Sequence, residues 1–129
     1  MRILTYMIKE VEIYKAIGEE TRLRIIRILL KAGSKLCACE IISIIDKPQY
    51  TISKCLTTLV KAGLVKENRE GRMMFYRPVY ESEFNRSLFE NITKIKSEDN
   101  LLFENDDNKL QTKLKQRETN ESFCGTCMI

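Results

Sequence analysis

Between positions 48 and 78 the apolar residues change from one period to another. Ile52, Leu56, Leu59 and Val60 recur at i, i+4, i+7 and i+8, the spacing of one buried helix face. The opposite face carries Gln49, Thr51, Ser53, Lys54, Thr57, Thr58 and Lys61, hydroxyl, amide and ammonium groups with no carboxylate among them. Ala62-Gly63 predicts the end of this helix, because glycine adopts a left-handed cap without a Cβ clash. Residues 64–67 and 73–76 then read as strands, with Arg69-Glu70-Gly71-Arg72 as the turn between them.

The rest of the chain is patterned mainly for helix. Residues 3–17 place Ile8, Val11, Tyr14 and Ile17 near one face, closed by Gly18. Residues 22–32, with Thr21 as N-cap, set Leu23, Ile26, Leu29 and Leu30 against Arg22, Arg24, Arg27 and Lys31. A short apolar helix over 39–45 leads through Asp46-Lys47-Pro48, a turn, into the helix described above. Residues 81–96 carry Phe84, Leu88, Ile92 and Ile95, a stripe too apolar to lie alone. It covers the core with the first helix or forms a two-fold dimer interface. From residue 97 the chain turns polar and reads as a flexible or weakly helical extension, ending in FCGTCMI. The expected domains are thus 1–96, globular, and 97–129, the extension.

Helix, turn, helix and basic-tipped hairpin together predict a mainly α (α+β) fold. It has about five helices and a two-stranded β-wing, a winged helix-turn-helix that reads duplex DNA. Gln49, Tyr50, Thr51, Ser53 and Lys54 lie in the first turns of the reading helix, the end that meets base edges. Tyr50 packs on a sugar or covers the helix start. Arg69 and Arg72 on the turn suit phosphate or minor-groove contact rather than base selection.

Charge supports a polyanionic partner for the globular part alone. The net charge is +4, with 18 basic and 11 acidic residues up to position 96 and 4 basic and 7 acidic beyond it. No apolar run approaches the ~20 residues of a membrane span, and the N-terminus lacks a signal-peptide pattern. A cytoplasmic location is therefore expected, and with it thiols rather than disulfides for Cys37, Cys39, Cys55, Cys124 and Cys127. Their odd number and clustering leave soft-metal binding or redox chemistry open. Cys55, three residues after Ile52 and four before Leu59, faces the core as packing. No glycine-rich phosphate loop, Ser-His or Cys-His constellation points to an enzyme, and the chain has no histidine. Cys124 and Cys127 form the C-x-x-C of a thiol oxidoreductase, but without the preceding strand and helix N-terminus that lower a thiol pKa there.

Over about residues 12–96 the chain resembles the ArsR/SmtB family of metal- and arsenic-responsive repressors. The matching stretches are YKAIGEETRLRIIRILL, KLCACEI, QYTISKCLTTLVKAGLV and REGRMMFYRP. The resemblance implies a homodimer of winged domains, double-stranded operator DNA as ligand, and release of DNA when an inducer binds cysteine or histidine sites. Leu36-Cys37-Ala38-Cys39-Glu40 is similar to the family's L-C-V-C-D box, which implies Cys37 and Cys39 as ligands for As(III), Sb(III), Cd, Pb or Zn. The C-x-x-C spacing of Cys124 and Cys127 suits one metal or one dithiol pair: either they complete that site, on the same or the partner subunit, or pass the metalloid to it, or they are spare thiols on a dispensable tail end. Four thiolates would favour Cd, Pb or Zn, and fewer would favour As(III) or Sb(III). Some members place a third cysteine where Ile42 stands here, or supply ligands from an N-terminal arm, which has no cysteine in this chain. The missing histidine removes the family's usual zinc site on the last helix.

On an ideal helix residues i and i+2 point about 200° apart. One ion cannot be chelated by both thiolates there, so binding must distort or unwind the start of the helix that leads into the reading helix. Oxidation of the same cysteines would instead make the protein a redox-sensing regulator.

Overall fold

The computed structural model describes residues 8–118. Helix α1, Lys9–Ile17, is followed by α2, Glu20–Ala32, then by a two-residue strand β1, Leu36–Cys37, and α3, Ala38–Ile45. Helix α4, Gln49–Lys61, strands β2, Val65–Glu70, and β3, Met73–Pro78, and helix α5, Glu83–Thr93, complete the expected domain. A 3₁₀ turn, Ser97–Asp99, then leads into a sixth helix, α6, Leu101–Glu118. Among the described residues no helix is long and apolar enough to cross a membrane.

The core forms where the helical stripes meet: Ile25, Ile28 and Leu29 of α2, Ile41 and Ile44 of α3, and Ile52, Leu56 and Leu59 of α4 are all buried. Cys55 sits in the same cluster, as its spacing predicts. Helix α4 ends as expected: Gly63 takes φ +81° and Leu64 N–H reaches back to Leu59 O at 3.1 Å, closing the last turn. Helix α2 begins earlier than predicted. Glu19 rather than Thr21 is its N-cap, accepting the Arg22 N–H at 3.0 Å, while Thr21 is buried within the helix. In α5 the buried line is Asn85, Phe89 and Ile92, with Phe84 and Leu88 flanking it and Ile95 exposed beyond the helix end.

Two expectations are corrected here. The wing has three strands, because β1 pairs antiparallel with β3 in the order β1-β3-β2. A two-residue strand has no period to read. The hairpin is also tighter than predicted: β2 continues through Arg69 and Glu70, and Glu70 opposes Met73. That leaves Gly71-Arg72 as a two-residue loop, with Gly71 at φ +66°, the positive φ that such hairpin loops require.

The second correction concerns the extension, which is an ordered part of the domain as far as Glu118. Helix α6 packs on α2 and α3. Its buried line runs Phe103, Asp106, Asp107 and Leu110, continued by the half-buried Leu114 and Arg117, spacings that hold one helix face. The acids on that face answer the basic side of α2. Asp106 takes Arg24 with both oxygens at 2.9 Å, and Arg24 also donates to Ile45 O at 3.0 Å. Asp107 pairs with Arg27 at 3.4 Å and Lys31 at 3.3 Å, and the Arg27 guanidinium lies 4.3 Å over the Phe103 ring. The Asp106 hydrogen bond holds Arg24 above its usual pKa. A boundary at residue 96 therefore divides one core, and the rest of the expected extension, residues 119–129 with Cys124 and Cys127, lies outside the described residues.

Candidate nucleic-acid interface and thiol site

The reading helix is presented by a turn that fixes its angle. Asp46, at φ 61° and ψ 50°, is the one described non-glycine residue in the left-handed region, and its N–H closes α3 on Ile42 O at 2.9 Å. Pro48 then serves as N-cap of α4, where the absent N–H costs nothing. Beyond it Gln49, Tyr50, Ser53 and Lys54 are exposed and Thr51 is half-buried. Tyr50 is 72% exposed, with the Lys54 ammonium 5.3 Å from its ring centroid. It covers no core, which leaves it available as a contact. At the other end of α4, the buried Asn85 amide donates to Gly63 O at 3.0 Å and Val79 O at 3.1 Å. That side chain joins the reading helix, the exit of the wing and α5, a link that the sequence pattern did not reveal.

Arg69 and Arg72 are both exposed, Arg72 in the hairpin loop and Arg69 on the strand opposite Met74. They are thus placed on the wing but on different parts of it.

The cysteine pair lies where β1, paired with the wing strand β3, meets α3, the helix that leads to α4. Cys37 is extended, at φ −88° and ψ 164°, and caps α3, while Cys39 is in the helix's first turn. Their sulfurs stand 3.1 Å apart. The expected divergence of the two side chains does not occur, because only one of them is helical, and no unwinding of α3 is needed to bring the sulfurs together. Cys37 is fully buried in β1, opposite Phe75 of β3, and the pair packs with Cys39 and Met73. Lys35, just before it, pairs with Glu70 of the wing and lies 4.6 Å over the Phe75 ring.

Beneath the pair is a carboxylate that the sequence reading passed over. Glu40 is fully buried and accepts the Cys37 N–H at 2.9 Å. Arg117, near the end of α6, grips the same carboxylate through two bonds of 2.6 and 2.9 Å. Its remaining donors reach Lys35 O at 2.9 Å and Ser34 Oγ at 3.3 Å. Glu40 three residues after an N-cap was the visible sign. Its partner lay 77 residues away in a stretch read as extension. Among the described residues no group of three or more Cys, Asp or Glu side chains gathers as a metal site, so the box supplies two sulfurs. Cys55 is elsewhere in the core, where burial pushes its thiol pKa up and keeps it protonated.

A reading helix set by a left-handed turn, beside a hairpin with a basic tip, defines a winged helix-turn-helix, the fold of a DNA-binding regulator. The model of the bacterial regulatory protein, arsR family, matches residues 19–67. An uncharacterized HTH-type transcriptional regulator of Methanocaldococcus jannaschii, MJ1325, is 50% identical over 68 residues, 53% of this chain and 75% of that protein. The chain belongs to the ArsR family. A putative arsenical resistance operon repressor of Halobacterium salinarum is 40% identical over 68 residues, 53% of either chain, so the match spans about half of that relative. Among solved structures, the homodimeric winged helix-turn-helix DNA-binding domain Mb0332 from Mycobacterium bovis superposes with a TM-score of 0.59 at 26% identity, over 70% of this chain and 81% of that one.

Proposed function

We propose that the protein is a cytoplasmic, homodimeric transcriptional repressor that leaves its operator when a thiophilic ligand binds Cys37 and Cys39. As(III) or Sb(III), or soft divalent Cd, Pb or Zn, is the ligand class that two converging sulfurs accept. The carrying observation is the 3.1 Å approach of those sulfurs, one in the strand paired with the wing and the other in the helix that leads into α4. A tetrahedral ion with metal–sulfur bonds of ~2.3 Å holds its sulfurs roughly 3.7 Å apart, so the pair is close to the required bite. The half-buried Cys39 gives the ligand its approach.

Gln49, Tyr50, Thr51, Ser53 and Lys54 contact the major groove in this reading, and Arg69 and Arg72 hold phosphate or the minor groove. Displacement at Cys37 is passed to the wing through the β1–β3 pairing, and displacement at Cys39 to the reading helix through α3. The duplex must then lose two matched contacts at once. Dimerisation has a candidate surface in Ile8, Val11 and Tyr14, which α1 leaves 62%, 40% and 57% exposed, and the Mb0332 domain is itself a homodimer. The relative from Halobacterium, described as an arsenical resistance repressor, supports the metalloid arm.

The test is operator binding by wild type and by the Cys37→Ser/Cys39→Ser variant, titrated with As(III), Sb(III), Cd(II), Pb(II), Zn(II) and peroxide. Release of wild type by one of the thiophilic ions, with the variant still bound, is expected. Unchanged affinity at saturating ion would overturn the reading. The same sulfur separation also suits a redox regulator, in which peroxide takes two electrons and two protons from the thiol pair, forming an S–S bond and two waters. Release by peroxide alone would select it.

A further inference from the structure

We infer that Arg117 is a positioning residue of the thiol site: from α6 it fixes the backbone that aims Cys37 at Cys39, and so brings the C-terminal helix into the response to inducer. The inference rests on the proposed inducer site for its regulatory meaning, while the effect on sulfur geometry stands by itself. Strand β1 is only two residues long, shorter than strands usually run, and its pairing with β3 is a weak hold on Cys37. Arg117 supplies the rest. Its Nη2 donates to Lys35 O at 2.9 Å and to Glu40 Oε1 at 2.6 Å, and its Nε donates to Glu40 Oε2 at 2.9 Å. The same Oε1 accepts the Cys37 N–H at 2.9 Å.

The two planar peptide groups that precede Cys37 are therefore tied to one guanidinium, the first through the Lys35 carbonyl and the second through Glu40. With those planes set, the direction in which Cys37 Cβ leaves the backbone is set too, and Cys39 is held independently by α3. The clamp is firm at both ends. Glu40 is fully buried and the Arg117 side chain is 21% exposed, joined by the planar two-point match of guanidinium to carboxylate. Helix α6 is itself anchored about three turns earlier, by Asp106 on Arg24 and Asp107 on Arg27. Lys35, whose carbonyl Arg117 holds, places its ammonium on Glu70 of β2 and over the Phe75 ring. An ion that spreads the sulfurs from 3.1 Å toward roughly 3.7 Å moves Cys37 against this clamp. The displacement then reaches Lys35 and the wing as well as α3.

The experiment uses the full, reduced chain carrying Cys124→Ser/Cys127→Ser, which leaves Cys37 and Cys39 as the only neighbouring thiols in sequence. As(III) is the probe, with a small dithiol as competitor. Arg117→Met/Glu40→Gln removes the clamp without leaving a bare carboxylate in the core, and it keeps an acceptor for the Cys37 N–H. As(III) affinity should fall about tenfold to a hundredfold, the usual loss when the outer support of a ligand is removed. Cys55, buried in the main core, should stay protected from iodoacetamide. Arg117→Lys keeps the charge but not the planar fork that spans Glu40 and Lys35, and its As(III) affinity should fall as well. Affinity equal to the parent chain in either variant would overturn the inference. So would a loss accompanied by labelling of Cys55, which would make Arg117 a prop of the whole fold. A parent chain that binds As(III) yet stays on its operator, with the Arg117 variants still weaker, counts against the proposed function and leaves the positioning role standing.

Discussion

Cys37 and Phe75 face each other in register across β1 and β3, the buried sulfur packed with the ring. This pairing places the thiol site on the wing's own sheet as well as at the head of α3. A ligand that draws the Cys37 sulfur aside must therefore disturb a packed aromatic in the strand that carries the wing tip.

Phe75→Ala should loosen this contact. Emptying so buried an aromatic position costs about 3 kcal/mol, read as a lower urea midpoint. Operator affinity should fall with it, whereas Phe75→Leu should retain most of both. Equal operator binding by Phe75→Ala and wild type would separate the wing from the cysteine box.

Asp106→Ala should be among the most damaging surface-looking substitutions in the chain. It leaves the Arg24 guanidinium buried without its carboxylate, a loss of roughly 3–5 kcal/mol measured by denaturant unfolding. Arg24→Met/Asp106→Leu should recover most of it, since removing both charges also removes their desolvation. An Asp106→Ala protein as stable as wild type would place α6 off the core.

The two classes of DNA contact separate in salt. Arg72→Ala should weaken binding to every sequence and flatten the plot of log affinity against log salt by about 0.9, the share of one phosphate. Gln49→Ala should instead cost about 1–3 kcal/mol at one base pair and leave the salt slope alone. A base-selective loss from Arg72→Ala would contradict its assignment.

Cys55 gives a pH prediction. Burial pushes its thiol up, so the fold is favoured while the thiol is protonated. That contribution is complete below the unfolded thiol's pKa and is lost as pH rises through the folded one. With the other four cysteines changed to serine, native protein should resist iodoacetamide at neutral pH and lose stability on the alkaline side. Adding Cys55→Ala should abolish that alkaline loss. Rapid labelling of the native protein would show the thiol to be accessible.

The reading helix and its turn were legible because Ile52, Leu56 and Leu59 keep a strict period and Pro48 and Gly63 punctuate it. The wing was legible in outline, through Gly71, though its strands run longer than their apolar residues alone suggest. Helix α6 was hidden because half of its buried face is ionic. Phe103 and Leu110 are too few to mark a stripe until Asp106 and Asp107 are counted as interior residues, which requires knowing that Arg24 and Arg27 are buried. The cysteine geometry was misread for a different reason. Spacing in sequence cannot tell that a helix starts between two cysteines, and at Cys37 the backbone is still a strand.

By tucking Asp106 and Asp107 against α2, the chain carries its own counterions for Arg24 and Arg27. Those two guanidiniums are already neutralised and do not displace condensed cations from a duplex, so the electrolyte sensitivity of the complex should report only the solvent-facing cations of α4 and the wing. A tally of lysines and arginines in the amino-terminal three quarters of the chain overstates how many ions leave the double helix when the protein arrives.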